Sequence, residues 1–258
     1  MTIKWGFLGA SWVASTALVP AVADAKNASL YAVASRDPER SQKLNPTKVH
    51  ASYEDLISDP DIDAVYISLA NHLHLEWATK ALNAGKHVLA EKPFAMHQCD
   101  FEDLLETRNT TGLLVSEAFM IVHHPQWQRA RQMVGNGAIG KVIHITGGFS
   151  YDNSDDPKNI RNQAEMGGGG LRDIGIYTIG SAAYVMDKEL ENISAKVRLE
   201  SGFDVFASIQ GNIGDAEYST YVSTRMHPHQ EMVFHGSEGI LRLTAPFNPN
   251  AFGEARLE

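Results

Sequence analysis

The sequence predicts an α/β protein. Its first half is expected to form a doubly wound parallel sheet and its second half an open, mainly antiparallel sheet with helices. Up to about residue 118, short apolar runs alternate with helical patterns, which is typical of βαβ units. Beyond that point, strand patterns follow one another through turns, which favours an antiparallel sheet. A chain of 258 residues is long enough for two domains, which we place at 1–118 and 119–258.

In the first half, particular residues mark the ends of the helices. Asp37-Pro38 begins a short helix, Ser52-Tyr53-Glu54-Asp55 has the pattern of a capping box, and Gly85 stops a longer helix. The apolar runs predict strands at 3–8, 30–34, 64–69, 87–90 and 113–115. Besides the helices that begin at the two caps, helices are expected at 12–25, 73–83 and 100–108.

The second half begins with a helix at 125–134 that ends at Gly135-Asn136-Gly137. An alternating strand at 141–150 leads into the polar residues 151–165, which we expect to form a long loop. Four glycines at 167–170 precede a helix at 171–186. Further strands are expected at 193–199, 203–209, 217–224, 231–235 and 240–243.

Composition excludes several classes of function. The chain has 22 Lys and Arg against 31 Asp and Glu, a formal net charge of −9. Binding to nucleic acids or to anionic membranes needs a basic face, so neither is expected. No apolar run reaches the roughly 20 residues of a membrane span, and the N-terminus lacks a signal-peptide pattern. The single Cys99 excludes an internal disulfide and a cysteine-based zinc site. We expect a soluble cytoplasmic protein.

Histidine is frequent, with 11 residues. The close pairs are His72/His74, His123/His124 and His227/His229. None combines helical i, i+4 spacing with a carboxylate, and no HExxH motif occurs, so we expect no metal site. A Gly-x-Ser-x-Gly motif is also absent, which leaves a hydrolase triad without support.

Two segments are shorter than the predicted fold normally requires. The helix after Asp37 is interrupted by Asn45-Pro46 after barely two turns. Residues 254–258 have a pattern typical of the beginning of a strand. We therefore expect that segments near 44–45 and after 258 are missing from this chain.

A glycine-containing turn, residues 6–14, joins the first strand to the first helix. Gly9 and Ala14 occupy the first and third positions of the dinucleotide-binding fingerprint, and Ser11 occupies the second. The N–H groups at the start of the helix would face a pyrophosphate, and the hydroxyl of Ser11 could bond a phosphate. An ordinary strand–helix turn shows the same pattern, so this alternative stays open.

The end of the second strand bears on the choice of cofactor. NAD enzymes carry an acidic residue about 20 residues after the glycines, where it binds the ribose 2′-hydroxyl. Here the strand ends in Ser35-Arg36, which suits a 2′-phosphate because the hydroxyl donates and the guanidinium pairs with the phosphate. Arg40, one helical turn further, is a second candidate. The pattern favours NADP, with a solvated arginine as the alternative and Asp37 as a nearby opposing charge.

Three residues are candidates for catalysis. Lys92 follows the strand at 87–90, where ligands of open α/β sheets lie, and Pro93 biases it toward an extended backbone. Asp173 and Tyr177, spaced i and i+4, share one face of the helix after the four glycines. The alternatives are a surface lysine beside a turn and a core tyrosine bonded to an aspartate.

Several motifs occur in an order that extends through essentially the whole chain. They are Gly6-x-x-Gly9-x-Ser11, Asn71-His72-Leu73-His74, Glu91-Lys92-Pro93, Asp173-x-x-x-Tyr177 and Gly236-x-Glu238-Gly239. Together they resemble the glucose–fructose oxidoreductase / inositol dehydrogenase family. Four further segments are Glu117-Ala118-Phe119-Met120, His124-Pro125-Gln126, Asn159-Ile160-Arg161 and Pro246-Phe247-Asn248-Pro249. These are similar to a subgroup of NADP-dependent xylose dehydrogenases and dimeric trans-dihydrodiol dehydrogenases.

The resemblance implies a Rossmann domain at 1–118 that binds NADP, with NAD as the alternative cofactor. It implies a domain at 119–258 that binds substrate and assembles into a homodimer or homotetramer through its sheet. The implied activity is hydride transfer between the nicotinamide and a carbinol or carbonyl carbon of a sugar, polyol or cyclic diol. Lys92 and Tyr177 would act at that carbon, and Asp173 would position the substrate.

The resemblance also implies the contact residues. The implied cofactor contacts are Gly9, Ala10, Ser11, Trp12, Val13, Ser35, Arg36, Arg40, Leu69, Asn71, His74, Glu91 and Lys92. The implied substrate contacts are Arg161, Asp173 and Tyr177. The subgroup commonly carries an arginine where this chain has Val122. The substrate or cofactor contact of that arginine is therefore in question for this chain. The family also includes a dinucleotide-sensing regulator without enzymatic activity, but the presence of both Lys92 and Tyr177 favours an enzyme.

Overall fold

The computed structural model, which describes residues 1–249 and 253–258, contains two six-stranded sheets. Each sheet belongs to a separate unit of the chain, Met1–Ala118 and Phe119–Glu258. The two units are described in turn.

The first unit alternates strands and helices. Its strands are β1 Ile3–Leu8, β2 Ala28–Ala34, β3 Lys48–His50, β4 Ala64–Ile67, β5 His87–Ala90 and β6 Val115–Glu117. Its helices are α1 Val19–Asp24, α2 Pro38–Lys43, α3 Tyr53–Ser58, α4 His74–Asn83 and α5 Asp100–Thr111. A π-helical turn, Ala14–Leu18, leads into α1, and a 3₁₀ turn, Asn71–Leu73, leads into α4.

All strand pairs of this sheet are parallel, in the order β3-β2-β1-β4-β5-β6. The strand order changes direction at β1, which lies between β2 and β4. Ligands of such sheets bind beyond the carboxyl ends of the strands at this point. The loops that follow β1, β2, β4 and β5 are therefore the ones that can form a site.

Side chains from the two faces of the sheet enter two separate clusters. Phe7 packs in one cluster with Val22 of α1, whereas Leu8 belongs to another with Leu82 of α4. Neighbouring residues of a strand point to opposite faces, so helices cover the sheet on both sides. The expected doubly wound parallel sheet is thereby confirmed for this unit.

The second unit has one layer of helices on a mixed sheet. Its helices are α6 Pro125–Gly135 and α7 Ile176–Met186. Its strands are β7 Val142–Asp152, β8 Leu190–Glu200, β9 Phe203–Ile213, β10 Ala216–Ser223, β11 Arg225–Gly236 and β12 Ile240–Leu243. In the order β12-β11-β7-β10-β9-β8, the β7–β10 pair is parallel and the other pairs are antiparallel. A buried cluster that includes Trp127 and Phe234 fills the space between helices and sheet.

Some elements differ from the sequence-based expectation. β3 was not predicted, because it has only three residues, two of them polar, and lies at the edge of the sheet. β7 continues to Asp152, which pairs with Arg225 of β11, so the expected loop begins later than residue 151. That segment also contains two 3₁₀ turns, Ile160–Asn162 and Ala164–Met166. The helix expected at 171–186 begins with a π-helical turn, Leu171–Gly175.

Candidate functional site

The turn after β1 depends on a glycine. Gly9 has φ +95, and a Cβ atom there would lie 2.9 Å from the carbonyl oxygen of Ser68. Its N–H donates to the carbonyl oxygen of Ala34 at 2.8 Å. A side chain is therefore excluded both by the backbone conformation and by the close approach of the chain after β4. The predicted first position of the fingerprint has the geometry that the fingerprint requires.

The residues after Gly9 begin the first helical segment. The Oγ of Ser11 accepts a hydrogen bond from the N–H of Ala14 at 3.0 Å, which is the arrangement of an N-cap. The hydroxyl proton of Ser11 can still be donated outward. The side chain of Trp12 is 77% exposed, and Val13 is half-buried.

Arg40 connects the start of α2 to the glycine-containing turn. Its Nη2 donates to the carbonyl oxygen of Ala10 at 2.6 Å. Arg36, at the end of β2, is exposed. The chain after β2 thus brings two guanidinium groups to the edge of the sheet from which the turn after β1 emerges.

Ser35 and Asp37 form a turn between β2 and α2. The Oγ of Ser35 donates to the carbonyl oxygen of Asp37 at 2.6 Å and lies 2.8 Å from the Oγ of Ser41. The carboxylate of Asp37 accepts from the N–H groups of Glu39 and Arg40 and so caps α2. The carboxylate that opposes the expected binding of NADP is therefore engaged by two N–H groups at the start of α2.

Lys92 lies in a turn immediately after β5. The N–H of Glu91 continues the sheet by donating to the carbonyl oxygen of Ile67 at 2.9 Å, and the peptide between Lys92 and Pro93 is cis. The side chain of Glu91 accepts from the hydroxyl of Tyr66 at 2.8 Å. Lys92 is half-buried.

His74 joins the loops after β4 and β5. Its Nδ1 lies 2.9 Å from the carbonyl oxygen of Pro93, and its Nε2 lies 3.0 Å from that of Leu69. The side chain is almost fully buried, and this burial lowers the pKa of the imidazole. Both ring nitrogens face backbone carbonyls, whereas Asn71 lies in the preceding 3₁₀ turn.

Glu117, at the end of β6, is a site residue to which sequence reasoning gave no role. Its Oε1 accepts from the N–H of Phe94 at 2.8 Å. Burial raises the pKa of this carboxyl, while the N–H of Phe94 and the charge of Lys92 act in the opposite direction. The sequence offered only its place in a subgroup motif, because the contact joins residues from two separate segments of the chain.

In the second unit, Asp173 is the centre of a cluster of polar side chains. The Nε of Arg161 lies 2.9 Å from its Oδ1, and the hydroxyl of Tyr151 donates to its Oδ2 at 2.5 Å. The charge of Asp173 raises the pKa of Arg161, to which Tyr177 also contributes. Burial, followed by the charge of Asp173, raises the pKa of Tyr151. Arg161, Asp173 and Tyr177 thus belong to one cluster, and sequence reasoning missed Tyr151 because it placed that residue in a loop.

The ring of Tyr177 lies against three phenylalanines. The ring centroids of Phe119, Phe149 and Phe247 are 5.7, 5.8 and 5.4 Å from its own. The phenol is half-buried, so its apolar ring is held by packing while the hydroxyl is placed beside the charged cluster.

The four glycines allow the chain to pack against the segment that contains Arg161. A Cβ atom on Gly168 would lie 2.6 Å from the carbonyl oxygen of Arg161, and one on Gly169 would clash with the carboxylate of Asp204. The N–H of Gly169 donates to the same carbonyl of Arg161 at 3.0 Å. Asp204 in turn accepts from the N–H of Leu171 at 2.7 Å. The glycines therefore position Arg161 beside the start of the helical segment that carries Asp173.

Arg225 orders the loop on which Arg161 lies, and it too was missed from the sequence. Its Nη1 donates to the side chain of Asn153 at 2.7 Å and its Nη2 to that of Asn162 at 3.1 Å. Its Nε pairs with Glu200 at 2.9 Å. The pairing of β11 with β7 places Arg225 beside Asn153, and its other partners come from separate segments, so no local pattern could have indicated the contacts.

Val122 packs against the buried cluster of the second unit. Its carbonyl oxygen accepts from the hydroxyl of Tyr184 at 3.3 Å. An apolar side chain in this place contributes packing where the subgroup has a charged group. Among the described residues, no cluster of three or more His, Cys, Asp or Glu side chains is arranged to hold a metal ion. None of the described helices is long and apolar enough to cross a membrane.

Comparison with known families gives matches in both units. The model of an oxidoreductase family with an NAD-binding Rossmann fold matches residues 3–119. The model of the GFO/IDH/MocA C-terminal domain matches residues 127–242. The chain belongs to the GFO/IDH/MocA oxidoreductase family. The resemblance inferred from the motifs is thereby confirmed, and so is the fold class. These matches favour an enzyme over a regulator.

Three curated relatives extend the comparison. An uncharacterized oxidoreductase of Rhizobium meliloti is 35% identical, over 99% of this chain and 78% of that protein. A dTDP-3,4-didehydro-2,6-dideoxy-alpha-D-glucose 3-reductase of Actinomadura kijaniata is 33% identical, over 96% of this chain and 76% of that protein. A trans-1,2-dihydrobenzene-1,2-diol dehydrogenase of Xenopus tropicalis is 30% identical, over 94% of this chain and 76% of that protein. The GFO/IDH/MocA relatives therefore include the dihydrodiol dehydrogenases of the expected subgroup.

Among solved structures, this chain is similar to KijD10, a 3-ketoreductase from Actinomadura kijaniata in complex with NADP and TDP-benzene. The TM-score is 0.88 at 30% identity, over 96% of this chain and 78% of that chain. Variants of KijD10 with a tyrosine replaced by phenylalanine, or a lysine by alanine, have also been crystallised with NADP and TDP-benzene.

Proposed function

We propose that this member of the GFO/IDH/MocA family is an NADP-dependent oxidoreductase. It would move hydride between the nicotinamide and a carbinol or carbonyl carbon of a sugar, polyol or cyclic diol. The observation that supports this most strongly is the position of Lys92. It leaves the carboxyl end of β5, in the same parallel sheet whose β1 ends in the glycine turn.

The residues of the first unit fit a phosphorylated dinucleotide. Gly9 permits the tight turn against the chain after β4, and Ser11 caps a helical segment whose N-terminus favours an anion. Arg36 and Arg40 supply positive charge at the end of β2, as a 2′-phosphate requires. We propose cofactor contacts from this edge of the sheet. They are Gly9, Ala10, Ser11, Trp12, Val13, Ser35, Arg36, Arg40, Leu69, Asn71, Glu91 and Lys92, with His74 acting through the two loops that it joins.

NADP, when bound, accepts or supplies the hydride at the nicotinamide. Tyr177 takes the hydroxyl proton of the alcohol in oxidation and returns it to the carbonyl oxygen in reduction. An ordinary phenol ionises near pH 10, so a base of this kind needs positive charge close to its oxygen. A cation about 4 Å away, at an effective dielectric constant of about 20, contributes about 4 kcal/mol, which is about three pH units. We propose Lys92 for this role because the motifs imply that it acts at the same carbon, and Arg161 adds a second cation within the second unit.

Asp173 moderates these charges in the second unit. Both of its oxygens are engaged, one by Arg161 and one by Tyr151, so its negative charge is partly compensated. We propose that Asp173 and Arg161 together present a fixed pattern of donors and acceptors to the substrate hydroxyls. The names of the relatives support a ketosugar or a cyclic diol as the substrate class.

Replacement of Lys92 by alanine and of Tyr177 by phenylalanine tests the proposed chemistry. Proton transfer by a positioned side chain typically contributes roughly 10²–10⁴-fold, so we expect losses of that order in kcat. Binding of NADPH, measured by fluorescence titration, should change little. A Tyr177→Phe variant that keeps the wild-type kcat would show that another group moves the proton.

A panel of aldoses, inositols, trans-dihydrodiols and nucleotide-linked ketosugars, assayed with NADP⁺ and NADPH, identifies the substrate. Turnover of none of them, with tight NADP(H) binding retained, would contradict an oxidoreductase and favour a dinucleotide-sensing regulator.

We also propose that the protein acts in the cytoplasm as a homodimer or homotetramer that assembles through the sheet of the second unit. The edge strand β8 supports an assembly role because Ile193 and Leu199 on it are 62% and 64% exposed. Light scattering of the purified chain gives the mass directly. A monomer at micromolar concentration, or a dimer unaffected by Ile193→Lys, would contradict this surface.

A further inference from the structure

The turn that carries Lys92 is fixed on its N-terminal side by Glu91. The backbone of Glu91 is bonded to Ile67 of β4, and its carboxylate accepts from the buried hydroxyl of Tyr66. Both partners belong to the fully buried β4 strand. The residue before the lysine therefore has little freedom to move.

The C-terminal side of the turn is held by two side chains from different elements. The Nδ1 of His74, from the start of α4, lies 2.9 Å from the carbonyl oxygen of Pro93. The Oε1 of Glu117, from the end of β6, accepts from the N–H of Phe94 at 2.8 Å. Lys92 thus lies in a turn whose neighbours Glu91, Pro93 and Phe94 are each bonded through one backbone group to another part of the unit.

Glu117 differs from the other partners because it also carries charge. It is half-buried, and the opposite charge of Lys92 and the like charge of Glu91 both act on its carboxyl group. A buried carboxylate is costly unless an N–H group or a cation compensates it. Here Phe94 supplies the N–H and Lys92 supplies the cation.

We propose that Glu117 is a positioning residue for Lys92. It fixes the backbone of the turn through Phe94, and its carboxylate is a counter-charge for the neighbouring ammonium group. The inference rests on the proposed function for the statement that Lys92 acts on the reacting carbon. The effect of Glu117 on the lysine itself does not depend on that statement.

Two variants separate the positional role from the electrostatic one. Glu117→Gln retains an oxygen that can accept from Phe94 but removes the charge, whereas Glu117→Leu removes both. A misplacement of about 1 Å can cost about 10²-fold, so we expect that loss in kcat for Glu117→Leu and a loss of about 3- to 10-fold for Glu117→Gln. The affinity for NADPH should stay within about 3-fold of the wild type in both. The matched control is Glu106→Gln, an exposed acid on α5, which should leave kcat unchanged.

Labelling of lysines across a pH series, followed by mass spectrometry of the full chain, reads the electrostatic role without an activity assay. Removal of a nearby carboxylate should lower the labelling midpoint of Lys92 by about one pH unit in Glu117→Gln. Lys80, which pairs with Glu76 on α4, is the internal reference and should not change. A merely structural effect would alter many lysines together.

The outcomes are distinguishable from a failure of the proposed function. If Lys92→Ala remains active, the catalytic role of the lysine is wrong, but the labelling result still decides whether Glu117 acts on it. If Lys92→Ala is inactive while both Glu117 variants keep the wild-type kcat and labelling midpoint, the positioning role is wrong. If Glu117→Leu does not fold, the labelling midpoint of Glu117→Gln decides alone.

Discussion

Arg40 donates a hydrogen bond of 2.6 Å from its Nη2 to the carbonyl oxygen of Ala10, and so joins the start of α2 to the glycine turn after β1. Because this bond uses only one of the five guanidinium N–H groups, the remaining donors are available to a phosphate. The turn that we propose to bind the cofactor's phosphates is therefore joined by one side chain to the residues that would select the 2′-position.

We expect a 10- to 100-fold preference for NADP(H) over NAD(H) in kcat/KM, because charge-assisted bonds of about 1.5–3 kcal/mol are reduced by solvent and salt. Arg36→Ala should lower this ratio. Ser35→Asp should shift it further toward NAD(H), because a carboxylate repels the phosphate.

Ser35→Ala is the control for that variant, because it removes the hydroxyl, which bonds to Asp37 and Ser41, without adding charge. A wild type that prefers NAD(H), or a ratio that Ser35→Asp does not change, would show that other residues select the 2′-position.

Trp12 offers an optical test of the same site. Its side chain is 77% exposed, whereas Trp5 is half-buried and Trp77 and Trp127 are 7% and 0% exposed, so acrylamide should quench Trp12 preferentially. We expect NADP⁺ to reduce this quenching, and Trp12→Phe to abolish the effect of NADP⁺. Quenching that NADP⁺ leaves unchanged in the wild type would place the cofactor away from Trp12.

The features that the sequence predicted correctly are those with local causes. The positive φ of Gly9 follows from a tight turn between a strand and a helix. The residues that predict this turn, 6–14, are consecutive in the sequence. The hydroxyl of Ser52 caps α3 by accepting from the N–H of Asp55 at 3.0 Å, as the pattern indicated. In both places the signal and the interaction lie within one short segment.

The missed features depend on contacts between distant segments. Glu117 and Phe94 meet because β5 and β6 are neighbours in the sheet, and Arg225 reaches Asn162 because β11 pairs with β7. Tyr151 was placed in a loop because β7 ends in polar residues, and its role appears only when Asp173 is beside it. No spacing rule within a single segment contains this information.

The hydroxyl of Tyr151 provides a test of the charged cluster in the second unit. Tyr151→Phe removes a donor to the buried Oδ2 of Asp173, and a hydrogen bond to a charged group is worth about 1.5–3 kcal/mol. If the cluster shapes the substrate site, we expect kcat/KM to fall by about 10-fold or more, with NADPH affinity unchanged. Tyr31→Phe, which removes a surface bond to Asp61, is the matched control and should keep full activity. Equal activity of the two variants would mean that Tyr151 serves stability alone.

The proposed chemistry gives a prediction about the need for a metal ion. Hydride transfer assisted by Lys92 and Tyr177 needs no Lewis acid, so activity should survive exhaustive dialysis against a chelator. The measurement is kcat before and after treatment. Activity that disappears and returns with zinc or manganese would overturn the proposed mechanism.

Asp59 is the centre of an ionic network in the first unit. Its Oδ2 accepts from Lys48 at 2.7 Å and lies 3.0 Å from the Nε2 of His50, and its side chain is 3% exposed. The hydrogen bond from Lys48, followed by the N–H of Asp61, lowers the pKa of Asp59 to about 2. The folded protein therefore stabilises the ionised form of the Asp59 carboxyl group more than the unfolded chain does.

An aspartate in the unfolded chain has a pKa near 3.9, so the stabilisation from Asp59 is fully present above about pH 4 and is lost as the pH falls toward 2. We expect Asp59→Asn to lower the free energy of unfolding by about 1–2 kcal/mol at pH 7, since half-exposed Lys48 limits the gain. Urea titrations from pH 7 to pH 3 should show this difference shrinking only below about pH 4. Asp61→Asn, which breaks an exposed pair with Lys4, should have a smaller effect. A difference between wild type and Asp59→Asn that stays constant from pH 7 down to pH 3 would mean that the ionised form of Asp59 is not what stabilises the fold.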